Sequence, residues 1–335
     1  MKKGEKIQEM VERLQAGDRS AAARLITWVE NGVDHHNEAM RLVYPHTGHA
    51  MILGVTGSGG VGKSTLIDHL IRRFRQQDKT VGVVVVDPTS PFSGGAFLGD
   101  RLRIQKHTQD EGVFIRSLAS RGYLGGLSRA TYDVIRIMEA MGKEIVIVET
   151  LGAGQDEIDI IHIAHTCLLV VTPGMGDDIQ VMKAGIMEIA DIIVMNKSDL
   201  DGANNCLRYL QSALSAGWVK EAGWTPRVIP TVSVASKPED IRGIDELMTG
   251  IAEHQEYLHK NRTIERMRFK RVEYELGLIF QDELQKAVFK GLRGTGKRRK
   301  YIKGILEAKT DPYTVVDEVM RPYIKGAGER EKERA

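Results

Sequence analysis

Between residues 51 and 252, short apolar runs alternate with stretches whose apolar residues recur at helical spacing. The runs fall at 52–56, 81–86, 113–115, 144–148, 167–172, 192–195 and 228–232, and Val83-Val84-Val85-Val86 carries no polar residue at all. A strand with one wet face alternates apolar and polar positions. A strand that is apolar throughout is buried on both faces, as in a parallel sheet lying between helices. The patterns at 64–75, 128–141, 178–189 and 203–216 supply such helices. This alternation predicts βαβ units and an α/β fold with a mostly parallel sheet covered by helices on both faces.

The flanks have a different texture. Ile7, Met10, Val11 and Leu14, then Leu25, Ile26 and Val29, repeat at helical spacing, with Gly17, Gly32 and a turn at 45–48 as punctuation. Residues 1–50 are therefore expected to form an N-terminal helical arm, and 51–252 the α/β domain. From 253 to 290 one long charged helical pattern carries apolar steps at Ile264, Met267, Val272, Leu276, Ile279, Leu284 and Val288. Residues 293–303 are basic and interrupted by glycine, 311–323 predict a short closing helix, and the last residues a frayed charged tail. Residues 253–335 read as a C-terminal helical arm suited to dimerisation.

Charge narrows the choice of partners. Forty-seven basic and 45 acidic residues leave a formal charge of +2, so no overall field favours nucleic acid or a membrane. No apolar run approaches the ~20 residues that span a bilayer, and no signal-peptide core follows Met1. The expectation is a cytoplasmic protein without nucleic-acid or membrane partners. Cys167 and Cys206 are too few for a disulfide framework. His162 and His165 stand at i, i+3 on an expected helix without companion metal ligands, and His35-His36 reads as loop surface.

The chemistry begins at Gly57-Ser58-Gly59-Gly60-Val61-Gly62-Lys63-Ser64, followed by Thr65. It matches the phosphate-binding pattern G-x-x-x-x-G-K-[ST], placed between an expected strand and an expected helix as the motif requires. Glycines let backbone N–H groups close on phosphate oxygens, the helix N-terminus adds positive partial charge, Lys63 reaches the β/γ-phosphates, and Ser64 offers a hydroxyl to Mg²⁺. In an empty loop the Lys63 ammonium is expected to have no partner, so its removal should leave the apo fold as stable or slightly steadier. Asn196-Lys197-Ser198-Asp199 follows the apolar run 192–195. Guanine presents two parallel donors that one carboxylate accepts together, whereas adenine presents an unprotonated nitrogen there, so Asp199 selects GTP over ATP. Ser233-Val234-Ala235 is placed to close over the base. Asp87 and Glu149 follow apolar runs and should emerge at the carboxyl edge of the sheet, where hard oxygens suit Mg²⁺. Asp100 reads either as a third ligand or as a loop acid, and Gln155 either as a residue that orients water or as ordinary loop surface.

These segments together resemble the MeaB/ArgK-type GTPases associated with methylmalonyl-CoA mutase, from about residue 10 to residue 325. The resemblance is carried by Pro45-His-Thr-Gly48, the phosphate loop, Val86-Asp-Pro-Thr-Ser90, Gly94-Gly-Ala-Phe-Leu-Gly-Asp100, Arg121-Gly-Tyr-Leu-Gly-Gly126, Glu149-Thr-Leu-Gly-Ala-Gly-Gln155, Pro173-Gly-Met-Gly-Asp-Asp-Ile-Gln180 and 196–199. It implies a homodimeric GTPase of weak intrinsic activity that serves an adenosylcobalamin-dependent acyl-CoA mutase, gating cofactor loading and protecting or reactivating the mutase. It also implies that Ser64, Asp87, Asp100 and Glu149 surround Mg²⁺. Lys63, Glu149, Gln155 and Lys183 would then assist hydrolysis, with Asp177, Gln180 and Lys183 on a switch that touches the mutase. Ser58-Gly59 stands where the family commonly has a proline, and the basic stretch 293–303 is not typical of its C-terminal arm. Three other readings compete: a P-loop ATPase delivering cargo, opposed by 196–199, a metallochaperone-type GTPase, which lacks a Cys- or His-rich relay, and a kinase acting on a small substrate, which lacks a distinct substrate-pocket motif.

Overall fold

The computed structural model describes residues 3–33, 35–87, 105–119, 129–150, 159–174, 186–215, 223–292 and 296–332. The seven apolar runs become β1 (Met51–Thr56), β2 (Val81–Asp87), β3 (Val113–Ala119), β4 (Ile145–Thr150), β5 (Thr166–Val171), β6 (Ile192–Met195) and β7 (Arg227–Pro230). They pair in parallel in the order β3-β2-β4-β1-β5-β6-β7, with Val55 of β1 and Val85 of β2 both in register with Glu149 of β4. All carboxyl ends therefore lie along one edge, and the described loops after β1 and β6 share it.

Three helices precede β1 in sequence: α1 (Lys3–Gln15), α2 (Arg19–Asn31) and α3 (His36–Val43). Asp18 caps α2, its carboxylate accepting from the N–H groups of Ser20 and Ala21 at 2.7 and 3.2 Å, and Gly32 ends it in a left-handed conformation. His36 is buried in α3, with Nδ1 2.8 Å from the Val33 carbonyl, rather than on loop surface. The turn before β1 is pinned by buried Glu139, whose Oε1 accepts from the N–H groups of Gly48 and Ala50 at 3.1 Å each.

Helix α4 (Lys63–Gln76) covers one face of the sheet with Leu66, Ile67, Leu70, Ile71 and Phe74 against Val55, Val83, Ile147 and Val170. Helix α5 (Arg129–Ala140) covers the other, where a Cβ on Gly82 would sit 2.7 Å from the Met138 sulfur. Opposite faces follow from right-handed crossovers, because β1→β2 runs one way across the sheet and β3→β4 runs back. The N-terminal helices pack against α5. The remaining helices are α6 (Ile186–Ile189), α7 (Ala203–Ser215), α8 (Ile244–Lys260), α9 (Thr263–Leu292), α10 (Lys297–Leu306) and α11 (Pro312–Lys332).

The single helical pattern expected from 253 to 290 is thus two helices, broken where Arg262 takes a φ of 51°. Residues 297–306 are helical despite their glycine. The closing helix continues through Pro322 to Lys332 instead of ending at 323 in a tail. His162 and His165 do not share a helix: a 3-10 turn ends at His162, and His165 is buried just before β5. The chain divides into two compact units, Met1–Val272 and Glu273–Ala335. Within the second, the Tyr323 hydroxyl donates to the Ala287 carbonyl at 3.1 Å and that of Tyr301 to Glu318 at 2.9 Å. Among the described residues, no helix is long and apolar enough to cross a membrane.

Candidate nucleotide-binding site

The loop from Gly57 to Gly62 joins the end of β1 to the first turn of α4, so its amides gather at a helix N-terminus. Two of its glycines are required by geometry. Gly57 has φ 137°, and a Cβ there would lie 2.2 Å from the Val170 carbonyl oxygen; Gly62 has φ 99°, and its Cβ would lie 2.3 Å from Asn196 Nδ2. Val61 is wholly buried and anchors the loop in the core. Lys63 is also buried. Its ammonium donates to the Gly57 carbonyl and, at 2.9 Å, to that of Ser58. The expectation of a lysine without partners is therefore wrong: the loop's own carbonyls turn inward and receive it.

At the start of α4 the Ser64 hydroxyl donates to Glu149 Oε1 at 2.9 Å, and Glu149 is buried at the junction of β4 with its loop. A neutral hydroxyl beside a buried carboxylate is a pair of hard oxygens, a donor set that suits Mg²⁺. One strand pairing away, Asp87 ends β2, two residues beyond the Val85 that registers with Glu149. Behind them the hydroxyl of Thr150 donates to that of Thr56 at 2.9 Å, tying β4 to β1 where both meet the loop.

The segment after β6 is laced onto the phosphate loop. Buried Asn196 donates from Nδ2 to the Val61 carbonyl at 2.8 Å, and its Oδ1 accepts from the Thr231 hydroxyl at 3.2 Å and the Ser233 N–H at 3.3 Å. Lys197, with φ 55°, donates to the Gly60 carbonyl at 2.8 Å. The Ser198 N–H reaches the Thr231 carbonyl at 3.0 Å. Asp199 and Val234 stand exposed at the rim, while Ser233 is buried beneath them.

The structure thus gathers 57–65, Glu149, 196–199 and 233–235 at one edge of the sheet. Asp100, Gln155 and Lys183, with Asp177 and Gln180, lie outside the described residues. Sequence reasoning passed over His69 on α4, whose Nε2 meets the Ser233 carbonyl at 2.9 Å. Its one signal was a polar ring at the sixth position after Lys63, on a helix otherwise apolar toward the sheet.

Comparison with known proteins agrees with this geometry. A protein of Pyrococcus abyssi named as a GTPase is 46% identical over 323 residues, covering 96% of this chain and 98% of its own length. A protein of Geobacillus kaustophilus named "Fused isobutyryl-CoA mutase" is 36% identical over 215 residues, 61% of this chain and 20% of that one. The crystal structure titled "LAO/AO transport system kinase" superposes with a TM-score of 0.68 at 25% identity, covering 96% of this chain and 98% of that chain. The family described as "Methylmalonyl Co-A mutase-associated GTPase MeaB" matches residues 22–292. A P-loop joined by hydrogen bonds to an N-K-x-D segment at the carboxyl edge of a parallel sheet, together with that match over most of the chain, places this chain in the MeaB family of GTPases.

Proposed function

We propose that this GTPase acts as a nucleotide-driven chaperone of an adenosylcobalamin-dependent acyl-CoA mutase, and that it does so as a homodimer with Mg²⁺ at its active site. The observation that carries the reading is the family match over 22–292, whose description names mutase association. The Geobacillus kaustophilus relative, named as a fused isobutyryl-CoA mutase, supports it from a second direction. Ser64 and Glu149 would hold the metal together with Asp87 and Asp100, and Mg²⁺ held there would neutralise charge on the nucleotide's phosphates.

Lys63 would exchange the carbonyls of Gly57 and Ser58 for the β/γ-phosphates, so GTP binding would cost the loop these two contacts. Asp199 would take the guanine edge, and Gln155 would orient the attacking water. Lys183 would be brought to the phosphates only when the switch that carries it, with Asp177 and Gln180, meets the mutase, so intrinsic hydrolysis is slow and the partner accelerates it. The test is single-turnover GTP hydrolysis with and without a saturating isobutyryl-CoA or methylmalonyl-CoA mutase. A rate gain, bounded above by the ~10³–10⁵ of an arginine finger, that is lost in Lys183→Ala while GTP affinity is kept is the expected result. An unchanged rate with no complex on gel filtration would remove the mutase from the reading.

A further inference from the structure

Base recognition needs more than a carboxylate. Guanine also carries a carbonyl oxygen at position 6, which a backbone N–H can read provided that the N–H is held in one direction. The chain passes from interior to surface across a single peptide: Ser233 is 4% exposed and Val234 68%. That peptide joins the Ser233 carbonyl to the Val234 N–H, and because it is planar and trans the two groups point in opposite directions. The carbonyl is gripped from below by His69 Nε2 at 2.9 Å. The peptide before it is gripped as well, the Ser233 N–H donating to Asn196 Oδ1 at 3.3 Å. The Val234 N–H itself donates to no acceptor among the described residues.

We infer that His69 is a positioning residue for guanine recognition, holding the Ser233 carbonyl inward so that the Val234 N–H faces the oxygen at position 6 of the base. The inference rests on the proposal that 196–199 and 233–235 bind the base. The carbonyl accepts, so the ring must carry its proton on Nε2. His69 sits on α4 about one and a half turns beyond Ser64, so the same helix that receives the phosphates sets the height of the loop over the base. Asn196, bonded to Val61 on one side and to Ser233 on the other, closes the circuit.

The experiment is isothermal titration of wild type, His69→Leu and His69→Gln with GDP, IDP and 6-thio-GDP. IDP keeps the oxygen at position 6 but lacks the amine, while 6-thio-GDP keeps both donors and replaces that oxygen with sulfur, a weak acceptor. His69→Leu should weaken GDP and IDP by about fivefold to tenfold, the worth of one ordinary hydrogen bond, and 6-thio-GDP by less than about twofold. His69→Gln, whose amide can donate, should recover most of the loss. Should His69→Leu fail to fold, His69→Asn, with an amide too short to reach, carries the same comparison. Equal losses for all three nucleotides, or none for GDP, would overturn the inference. Asp199→Asn, titrated with GDP and XDP, tests the underlying reading separately: no shift of preference toward XDP would overturn the base site and the role of His69 with it.

Discussion

Lys63 illustrates how a single residue serves the fold before it serves a ligand. Its buried ammonium stitches Gly57 and Ser58 together, so Lys63→Ala leaves two inward carbonyls without their donor. We predict that this variant loses GTP hydrolysis in single turnover and also loses about 1–2 kcal/mol of apo stability in urea titration. Stability equal to or above wild type would instead mean that the loop reopens to water at no cost. Asp199 is exposed and makes no hydrogen bond or ion pair with another of the described residues, so its replacement is expected to act on the base. Asp199→Asn exchanges one acceptor for a donor and removes the charge. GTP affinity should fall at least ~100-fold, and XTP, which carries a carbonyl where guanine has its amine, should become the preferred nucleotide. Both residues stood out in the sequence as candidates because phosphate and guanine chemistry demand particular side chains at particular spacings. Their mutual bonds were not. Nothing in the spacing of Asn196 and Val61 reveals that one donates to the other, since that contact is made by the adjacency of β1, β5 and β6.

At the scale of elements, the strands were legible because burial on both faces writes itself as continuous apolar sequence, and their observed limits differ from the expected ones by few residues. The exception is β3, which runs on to Ala119 through Arg116 and Ser117. Strand β3 is the sheet's edge, paired with β2 alone, and polar residues are tolerated there. The order of strands was not legible, because the insertion of β4 between β2 and β1 is decided by crossovers and not by local pattern. Nor was the turn that places His165, whose Nδ1 accepts from the Ile52 N–H at 3.1 Å and so fastens the start of β5 to β1. Burial, with repulsion from Arg271, Arg268 and His259, pushes this imidazole down to about 3. In the unfolded chain it titrates near its ordinary value of about 6.5. Above that pH neither state binds the proton. Between about 6.5 and 3 only the unfolded chain does, so native stability falls as acid is added and levels off below the folded value. From pH 7 to pH 5 this group should cost about 2 kcal/mol. His165→Asn, whose amide oxygen can take the place of Nδ1 but does not titrate, should show a shallower loss in urea unfolding at pH 7, 6 and 5. Parallel slopes for both proteins would mean that the ring is already protonated in the fold.

Across the whole molecule the two units differ in what they bury. In Met1–Val272 the apolar residues of strands and helices are largely consumed by the sheet and its layers. In Glu273–Ala335, Leu276, Phe280 and Leu284 recur at i, i+4 and i+8 on α9 and remain exposed, as do Leu306 on α10 and Tyr313 and Val316 on α11. Residues four apart fall on one side of a helix, so the three on α9 form a continuous ridge. An apolar ridge on a charged helix is expensive to leave in water, at about 25 cal/mol per Å² of apolar surface, and in this reading a second copy of the chain covers it. A cyclic dimer asks only that one patch be complementary to itself, and a helical ridge meets that requirement by packing against its own symmetry mate. Phe280→Glu puts a charge at the middle of the ridge and, across a two-fold axis, brings two like charges together. It should therefore shift the protein from dimer to monomer in sedimentation velocity at micromolar concentration. GTP affinity should stay within about twofold of wild type, because the nucleotide-site residues described above are carried by β1, β4, β6, α4 and the loops at their ends, and none of them is on α9. Leu306→Glu, on α10 outside the ridge, serves as the control for added charge and should leave the dimer intact. If Phe280→Glu remains a dimer while folding normally, the ridge is covered by something other than its own copy, and the proposed homodimer must be built through another surface.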